Sequence, residues 1–284
     1  MSVAKLLDQI AERNNFGIKA YSRLTGGDIN DVFLLTSKEG KKSVVKLNDA
    51  DKYPGMFEAE KAGLEQLARP GVIDIPEVLA VGNIENTAYL LLEYKGSAPK
   101  APDFAEKFGM QLAALHKTTS EEFGFPEDNY IGSLPQYNKS SKSAADFYIS
   151  QRLEPQLNKA KDRGYSLQLS EYFFKNISEI IPEEPPALIH GDLWNGNYLV
   201  NEKGLPCLID PATAYAPREM DLAMMKLFGG FEEEVFTVYN DYFPIVPGLE
   251  KRIPLWQLYY LLVHLNLFGT GYLASVSNII KKYS

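Results

Sequence analysis

The run His190-Gly191-Asp192-Leu193-Trp194-Asn195-Gly196-Asn197 sets a carboxylate and a carboxamide five residues apart, and Asp210 follows thirteen residues after Asn197. This is the spacing that a phosphotransferase loop needs: one acid takes a hydroxyl proton, and the other two groups hold magnesium. Mg²⁺ takes oxygen ligands and keeps part of its coordination for water and substrate phosphates, so one amide oxygen and one carboxylate are a sufficient protein contribution. A His-Gly-Asp triplet alone is also an ordinary turn, so its surroundings must carry the reading.

Those surroundings are suited to positioning a site. The loop Glu183-Glu184-Pro185-Pro186 precedes Ala187-Leu188-Ile189, an apolar run that feeds the catalytic segment from a buried element. After it, Tyr198-Leu199-Val200, the turn Asn201-Glu202-Lys203-Gly204 and Cys207-Leu208-Ile209 read as a hairpin. Such a hairpin returns Asp210 to Asp192 and Asn197, so that three polar groups converge and phosphoryl transfer from a nucleotide becomes possible.

The first third of the chain reads as a small sheet. Val32-Phe33-Leu34-Leu35 and Ser43-Val44-Val45-Lys46-Leu47 are strand-like around a turn at Ser37–Lys41. Gly26 and Gly27 lie just upstream, where glycine lets backbone N–H groups approach an anion. Lys46 is either a solvated strand lysine or the lysine that reaches nucleotide phosphates. For the second role it needs a helix glutamate. Glu60 precedes Leu64 and Leu67 at helical intervals within Met56–Leu67, and Glu58 is the alternative. A further strand, Tyr89–Leu92, ends at Glu93-Tyr94-Lys95-Gly96-Ser97, where we set the boundary between a domain of residues 1–95 and one of residues 96–284. A purine is expected to meet the backbone around Glu93 and Lys95, since such crevices form between domains. From Asp103 the pattern is helical, with Phe104, Phe108, Leu112 and Leu115 on one face and His116, read as structural, at its end.

With 284 residues the chain has enough length for one large domain or two lobes, and its 45% hydrophobic and 23% charged content is that of a globular protein. A net charge of −8 argues against nucleic-acid binding, which calls for a basic surface. The single cysteine, Cys207, is read as a buried structural thiol, which excludes thiolate metal clusters. Val3, Leu6, Leu7, Ile10 and Ala11 follow helical spacing rather than forming a secretory signal. Polar residues and glycines interrupt the apolar stretch Leu255–Leu273, so a buried helix is expected there rather than a membrane span. The expected location is cytoplasmic, with no membrane partner.

Taken together, these residues resemble the fructosamine kinase (ketosamine-3-kinase) family, within the protein-kinase-like small-molecule kinases. The catalytic loop and Asp210 are common to that whole group. More selective are Phe123-Gly124-Phe125 leading to Asn129-Tyr130-Ile131-Gly132-Ser133-Leu134-Pro135-Gln136-Tyr137-Asn138, then Arg218–Met224 with Leu227–Phe231, and Gln257-Leu258-Tyr259 with His264–Gly269. The resemblance implies an α+β, bilobal protein-kinase-like fold, with an antiparallel sheet in a small N-lobe and a larger, mainly helical C-lobe. It also implies ATP and Mg²⁺ as cofactors. Asp192 would be the catalytic base and Asn197 and Asp210 the metal ligands. Lys46 would contact phosphates with Glu60 as its partner, and Gly26-Gly27 would cover the nucleotide. Asp221 would hold the catalytic loop together with His190, and Trp194 would either line the sugar pocket or anchor the loop.

Asp28 stands where many relatives carry a cysteine, and Asp210-Pro211-Ala212 replaces the protein-kinase D-F-G triplet. The implied reaction is phosphorylation of the C3 hydroxyl of a ketosamine, either a small molecule or a glycated protein amine, in deglycation repair by a monomer. The alternatives are an aminoglycoside or choline-like acceptor, for which the acidic run Glu232-Glu233-Glu234 is either a grip on a cationic substrate or a solvated helix face, or an ATP-binding regulator without catalysis.

Overall fold

The computed structural model describes residues 1–24 and 29–284. The N-terminal part consists of α1 (Val3–Arg13), β1 (Ile18–Arg23), β2 (Asp31–Ser37), β3 (Lys42–Asp49), α2 (Met56–Ala68), β4 (Val78–Ile84) and β5 (Thr87–Glu93). Among the described residues its strands form one antiparallel sheet in the order β1-β2-β3-β5-β4. The strands β2, β3 and β5 match the expected ones; β1 and β4 carry weaker apolar patterns and were not anticipated.

The two-residue period of a strand decides which side chains meet. Phe33, Leu35, Val45, Leu47, Tyr89 and Leu91 face α1, where Leu6, Leu7 and Ile10 complete a small core. The alternate residues Leu90 and Leu92 face the other way and pack with Phe57, Leu64 and Leu67 of α2. In α1 the expected apolar face holds for Leu6, Leu7, Ile10 and Ala11. Val3 is a correction: it lies in the first helical turn and stays exposed.

The rest of the chain is mainly helical: α3 (Phe104–His116), β6 (Asn129–Ile131), β7 (Leu134–Gln136), α4 (Ala144–Phe147), α5 (Glu154–Asp162), α6 (Phe173–Ile180), β8 (Ala187–Ile189), β9 (Tyr198–Val200), β10 (Pro206–Leu208), β11 (Ala214–Ala216), α7 (Glu219–Phe228), α8 (Glu233–Tyr242), α9 (Leu249–Phe268) and α10 (Leu273–Tyr283). A π-helical turn, Tyr148–Leu153, joins α4 to α5. The long α9 is buried along most of its length, so the apolar stretch behind it is a core helix, and among the described residues no helix is long and apolar enough to cross a membrane. Cys207 is buried in β10. The acidic run falls at the start of α8, where Glu232, Glu233 and Glu234 are all exposed, so it is the solvated reading that fits. Carboxylates there also complement the positive end of the helix dipole.

Candidate active site

The sheet presents Lys46 to the site. Because Val45 and Leu47 point toward α1, Lys46 between them turns to the face shared with α2 and the cleft. Its Nζ lies 2.6 Å from Glu60 Oε1 and 2.5 Å from Asp210 Oδ1. Glu58, one position off the inward stripe of α2, is exposed. Burial alone would lower the pKa of Lys46, but the Asp210 and Glu60 carboxylates outweigh it and hold the ammonium above its ordinary range. Burial raises the pKa of Glu60, against the opposing pull of Lys46.

The His190–Asn197 loop leaves β8, which pairs with β11 through Ile189 and Ala214. At Gly191 the backbone adopts φ +82°, and a Cβ there would stand 2.1 Å from the Ala212 carbonyl oxygen, so only glycine fits the turn. Below the turn, the Asp221 carboxylate accepts the N–H of His190 at 2.7 Å and that of Gly191 at 2.8 Å. His116, closing α3, places Nε2 3.2 Å from Asp221 and Nδ1 2.9 Å from the Tyr239 hydroxyl. It is structural as expected, although its partner is a carboxylate rather than the dipole of its own helix. His190 Nδ1 accepts the Asp192 N–H at 3.2 Å, which leaves the ring proton on Nε2 to be donated to the Ile209 carbonyl at 2.8 Å. Burial lowers the pKa of His190 and favours this neutral form. The Tyr260 hydroxyl donates to Gly191 O at 3.1 Å and secures the loop from α9.

The β9–β10 hairpin forms as read, with Tyr198–Val200 opposite Pro206–Leu208 and Ile209 just beyond the strand. It carries Asn197 to the loop, where Nδ2 donates to Asp192 O at 2.8 Å and Asp192 Oδ2 at 3.0 Å, and approaches Asp210 O at 3.4 Å. Burial pushes the Asp192 carboxyl up to about 7; Asp210 and Asp221 add to the rise, and the Asn197 N–H opposes it. Asp192 is therefore set near the pH at which a base accepts a proton without holding it too tightly. Asp210 itself has φ +56°, uncommon for a residue with a side chain and often found where a site constrains the backbone.

The donor chemistry suits a hard cation. With Asn197 Nδ2 committed to Asp192, the Asn197 amide oxygen and the part-exposed Asp210 carboxylate remain as oxygen donors. Among the described residues no group of three or more His, Cys, Asp or Glu side chains forms a metal cage. Two oxygens completed by phosphates and water are the pattern expected for Mg²⁺.

A cleft of about 390 Å³ lies between the sheet and the hairpin. Leu24, Val32, Val44 and Leu92 line it from the sheet side, and Leu199, Val200 and Ile209 from the hairpin side. The connection Glu93–Ser97 also lines it, as do Lys46 and Asp210. Apolar walls of this kind accept a flat heterocycle. The Lys95 ammonium is occupied by Asp74 and by Glu93, each at 2.8 Å, so contact with a base there falls to the backbone. Gly26, Gly27 and Asp28 lie outside the described residues. The Trp194 ring folds across Gly196, where a Cβ would come within 2.3 Å of it, and the side chain keeps 38% of its surface exposed.

Sequence reasoning missed several contributors. The Asp221–His116–Tyr239 linkage joins residues more than a hundred positions apart, and nothing in local periodicity signals it. Glu219 lies within the Arg218–Met224 motif with no role of its own in the sequence, yet it accepts from Arg252 at 2.6 and 2.7 Å and from the Trp256 indole at 2.8 Å.

With this geometry established, comparison with known proteins is direct. The family model described as fructosamine kinase matches residues 1–284. The chain belongs to the fructosamine kinase family. A probable ketoamine kinase of Vibrio parahaemolyticus is 38% identical to this family member over 264 residues, covering 92% of this chain and 91% of the relative. The solved structure of a candidate fructosamine-3-kinase from Thermobifida fusca superposes with a TM-score of 0.83 at 35% identity, covering 96% of this chain and 98% of the other. A macrolide 2'-phosphotransferase shares the fold, with a TM-score of 0.60 at 16% identity over 99% of this chain and 98% of its own. The α+β, kinase-like architecture is thus common to this fructosamine kinase family member and to antibiotic kinases. As a member of a kinase family, the protein is a phosphotransferase that uses a nucleotide.

Proposed function

We propose that this protein transfers the γ-phosphoryl group of ATP to the C3 hydroxyl of a ketosamine, the rearranged adduct of a sugar and an amine. The meeting of Asp192, Asn197 and Asp210 beside the buried Lys46–Glu60 pair, at the edge of an apolar cleft, supports the phosphoryl transfer, and membership of the fructosamine kinase family supports the ketosamine acceptor. Asp192 orients the acceptor hydroxyl and takes its proton as the oxygen–phosphorus bond forms and the bond to the ADP oxygen breaks. Lys46, held by Glu60, neutralises phosphate charge. Asn197 and Asp210 would hold Mg²⁺, which would offset charge on the transferring group. Glu93–Lys95 contacts the base through its backbone. Trp194 offers an exposed aromatic face to the acceptor's C–H surface. Asp221 and His190 hold the catalytic loop.

In this account residues 1–95 act as a nucleotide-covering lobe and residues 96–284 carry the catalytic loop and acceptor side. The protein works in the cytoplasm, where ATP is available, on free ketosamines or glycated protein amines. ADP release from Mg-ATP, measured across fructosamine, ribulosamine, choline and aminoglycoside acceptors, tests the assignment. Turnover with the ketosamines is expected. Turnover confined to choline or an aminoglycoside would overturn the acceptor while keeping the catalytic roles.

A further inference from the structure

The segment Asp210–Thr213 belongs to neither helix nor strand, so its backbone groups need partners from elsewhere. Two come from the β6–β7 hairpin. Gln136 donates to the Ala212 carbonyl at 3.0 Å, and Asn129 donates to the Thr213 carbonyl at 2.8 Å. Gln136 also donates to Asn129 Oδ1 at 2.8 Å and accepts the Tyr259 hydroxyl at 2.7 Å. Behind them, Asn138 donates to Asn129 Oδ1 at 3.1 Å and accepts from Arg152 at 2.9 Å. These side chains are all buried, with Gln136 only 2% exposed.

Burying so many polar groups is costly unless each is satisfied, and a satisfied network fixes one arrangement where an apolar plug would allow several. What this network fixes lies next to the chemistry. Ala212 stands two residues after Asp210, its N–H donates to His190 O at 2.9 Å, and its carbonyl packs directly on Gly191. The hairpin also reaches the turn that leads into the helix carrying Glu60, because the Tyr130 hydroxyl donates to Pro54 O at 2.8 Å.

We propose that Gln136, gripped by Tyr259, is a positioning residue that sets Asp210 for the divalent metal. The proposal rests on the reading of Asn197 and Asp210 as metal ligands. It assigns a task to the Asn129–Asn138 stretch that its sequence alone does not disclose: the Gln136 amide fixes the exit from Asp210, whose left-handed backbone no ladder holds.

The test is a Mg²⁺ titration of ATP binding by calorimetry on wild type, Gln136→Met, Tyr259→Phe and the double variant, with melting temperatures alongside. Tyr148→Phe is the control. Its hydroxyl also donates to a buried carbonyl, that of Leu255 at 2.5 Å, but makes no hydrogen bond to Gln136, Asn129 or the Asp210–Thr213 segment. Gln136→Met and Tyr259→Phe are expected to raise the Mg²⁺ concentration for half-maximal ATP binding about tenfold, while metal-free ATP affinity stays near wild type. The double variant should be no worse than the poorer single one, because both remove the same constraint. Tyr148→Phe should lower the melting temperature without moving the Mg²⁺ titration. Variants that lose thermal stability but keep the wild-type Mg²⁺ dependence would overturn the proposal, as would a wild type whose ATP binding ignores Mg²⁺. A wild type that binds Mg-ATP yet phosphorylates no ketosamine overturns the acceptor assignment alone, since the titration reads Gln136 directly.

Discussion

Asp192 and Asp221 serve the same loop in opposite conditions. Asp221, on the floor, is fully buried and satisfied by two backbone N–H groups and His116. Asp192, at the mouth, has one amide donor for its carboxylate, lies near two other carboxylates and is pushed up to about 7. The floor is built to stay in place, and the mouth holds a charge that protein partners leave poorly compensated. On the proposed base such a charge would be available to a substrate proton, with preorganised groups around it stabilising the reaction at the expense of the resting fold.

The largest effect should come from removing the mouth carboxylate. Asp192→Asn is expected to lower kcat by about 10²–10⁴-fold while ATP affinity changes little, as steady-state kinetics and calorimetry would show. Loss of ATP binding instead would place Asp192 among the structural groups and erase the contrast. Next, Asp221→Asn replaces one acceptor oxygen with an N–H that faces a backbone donor. It should cost about 1–3 kcal/mol in a denaturant titration and also reduce kcat, because the loop loses its register. A variant with normal stability would show that the floor is not what holds the loop.

A smaller effect distinguishes the two carboxylates by pH. The folded protein holds the Asp192 proton up to about 7, whereas the unfolded chain releases it near 3.8. Between these values the native state binds more protons, so stability contributed by this group falls as pH rises through the window and levels off above it. Denaturation of the metal-free protein across that range should show the decline, and Asp192→Asn should flatten it. An unchanged slope in the variant would mean that another group titrates there. Smallest of all, Glu234→Gln on the exposed start of α8 should shift stability by no more than about 0.5 kcal/mol and leave ketosamine turnover unchanged. A large loss of turnover would bring the acidic run into the acceptor site and extend the mouth beyond the loop.

How far the residues could be read depended on the range of the interactions. The loop and the β9–β10 hairpin were legible because a turn between two apolar runs dictates its own closure, so Asp210 had to return to Asn197. Lys46 was ambiguous as a strand residue. Only the position of α1 shows that Val45 and Leu47 occupy one face and send Lys46 to the cleft. The strands β1 and β4 escaped because they are edge strands with few buried side chains, as in Ile18–Arg23, where all but the first residue are exposed. His116 looked like a helix end, and its tie to Asp221 exists only once α3 and α7 are brought together. The resemblance carried the Asn129–Asn138 motif, but what its side chains grip required the packed structure.

The central claim is that this cleft places phosphate on the C3 hydroxyl of a ketosamine. Phosphorus–proton correlation NMR of the product formed from Mg-ATP and a synthetic fructosamine tests it most directly. The account predicts one phosphate coupled to the C3 proton; phosphate on a different hydroxyl, or none on the ketosamine, would contradict it.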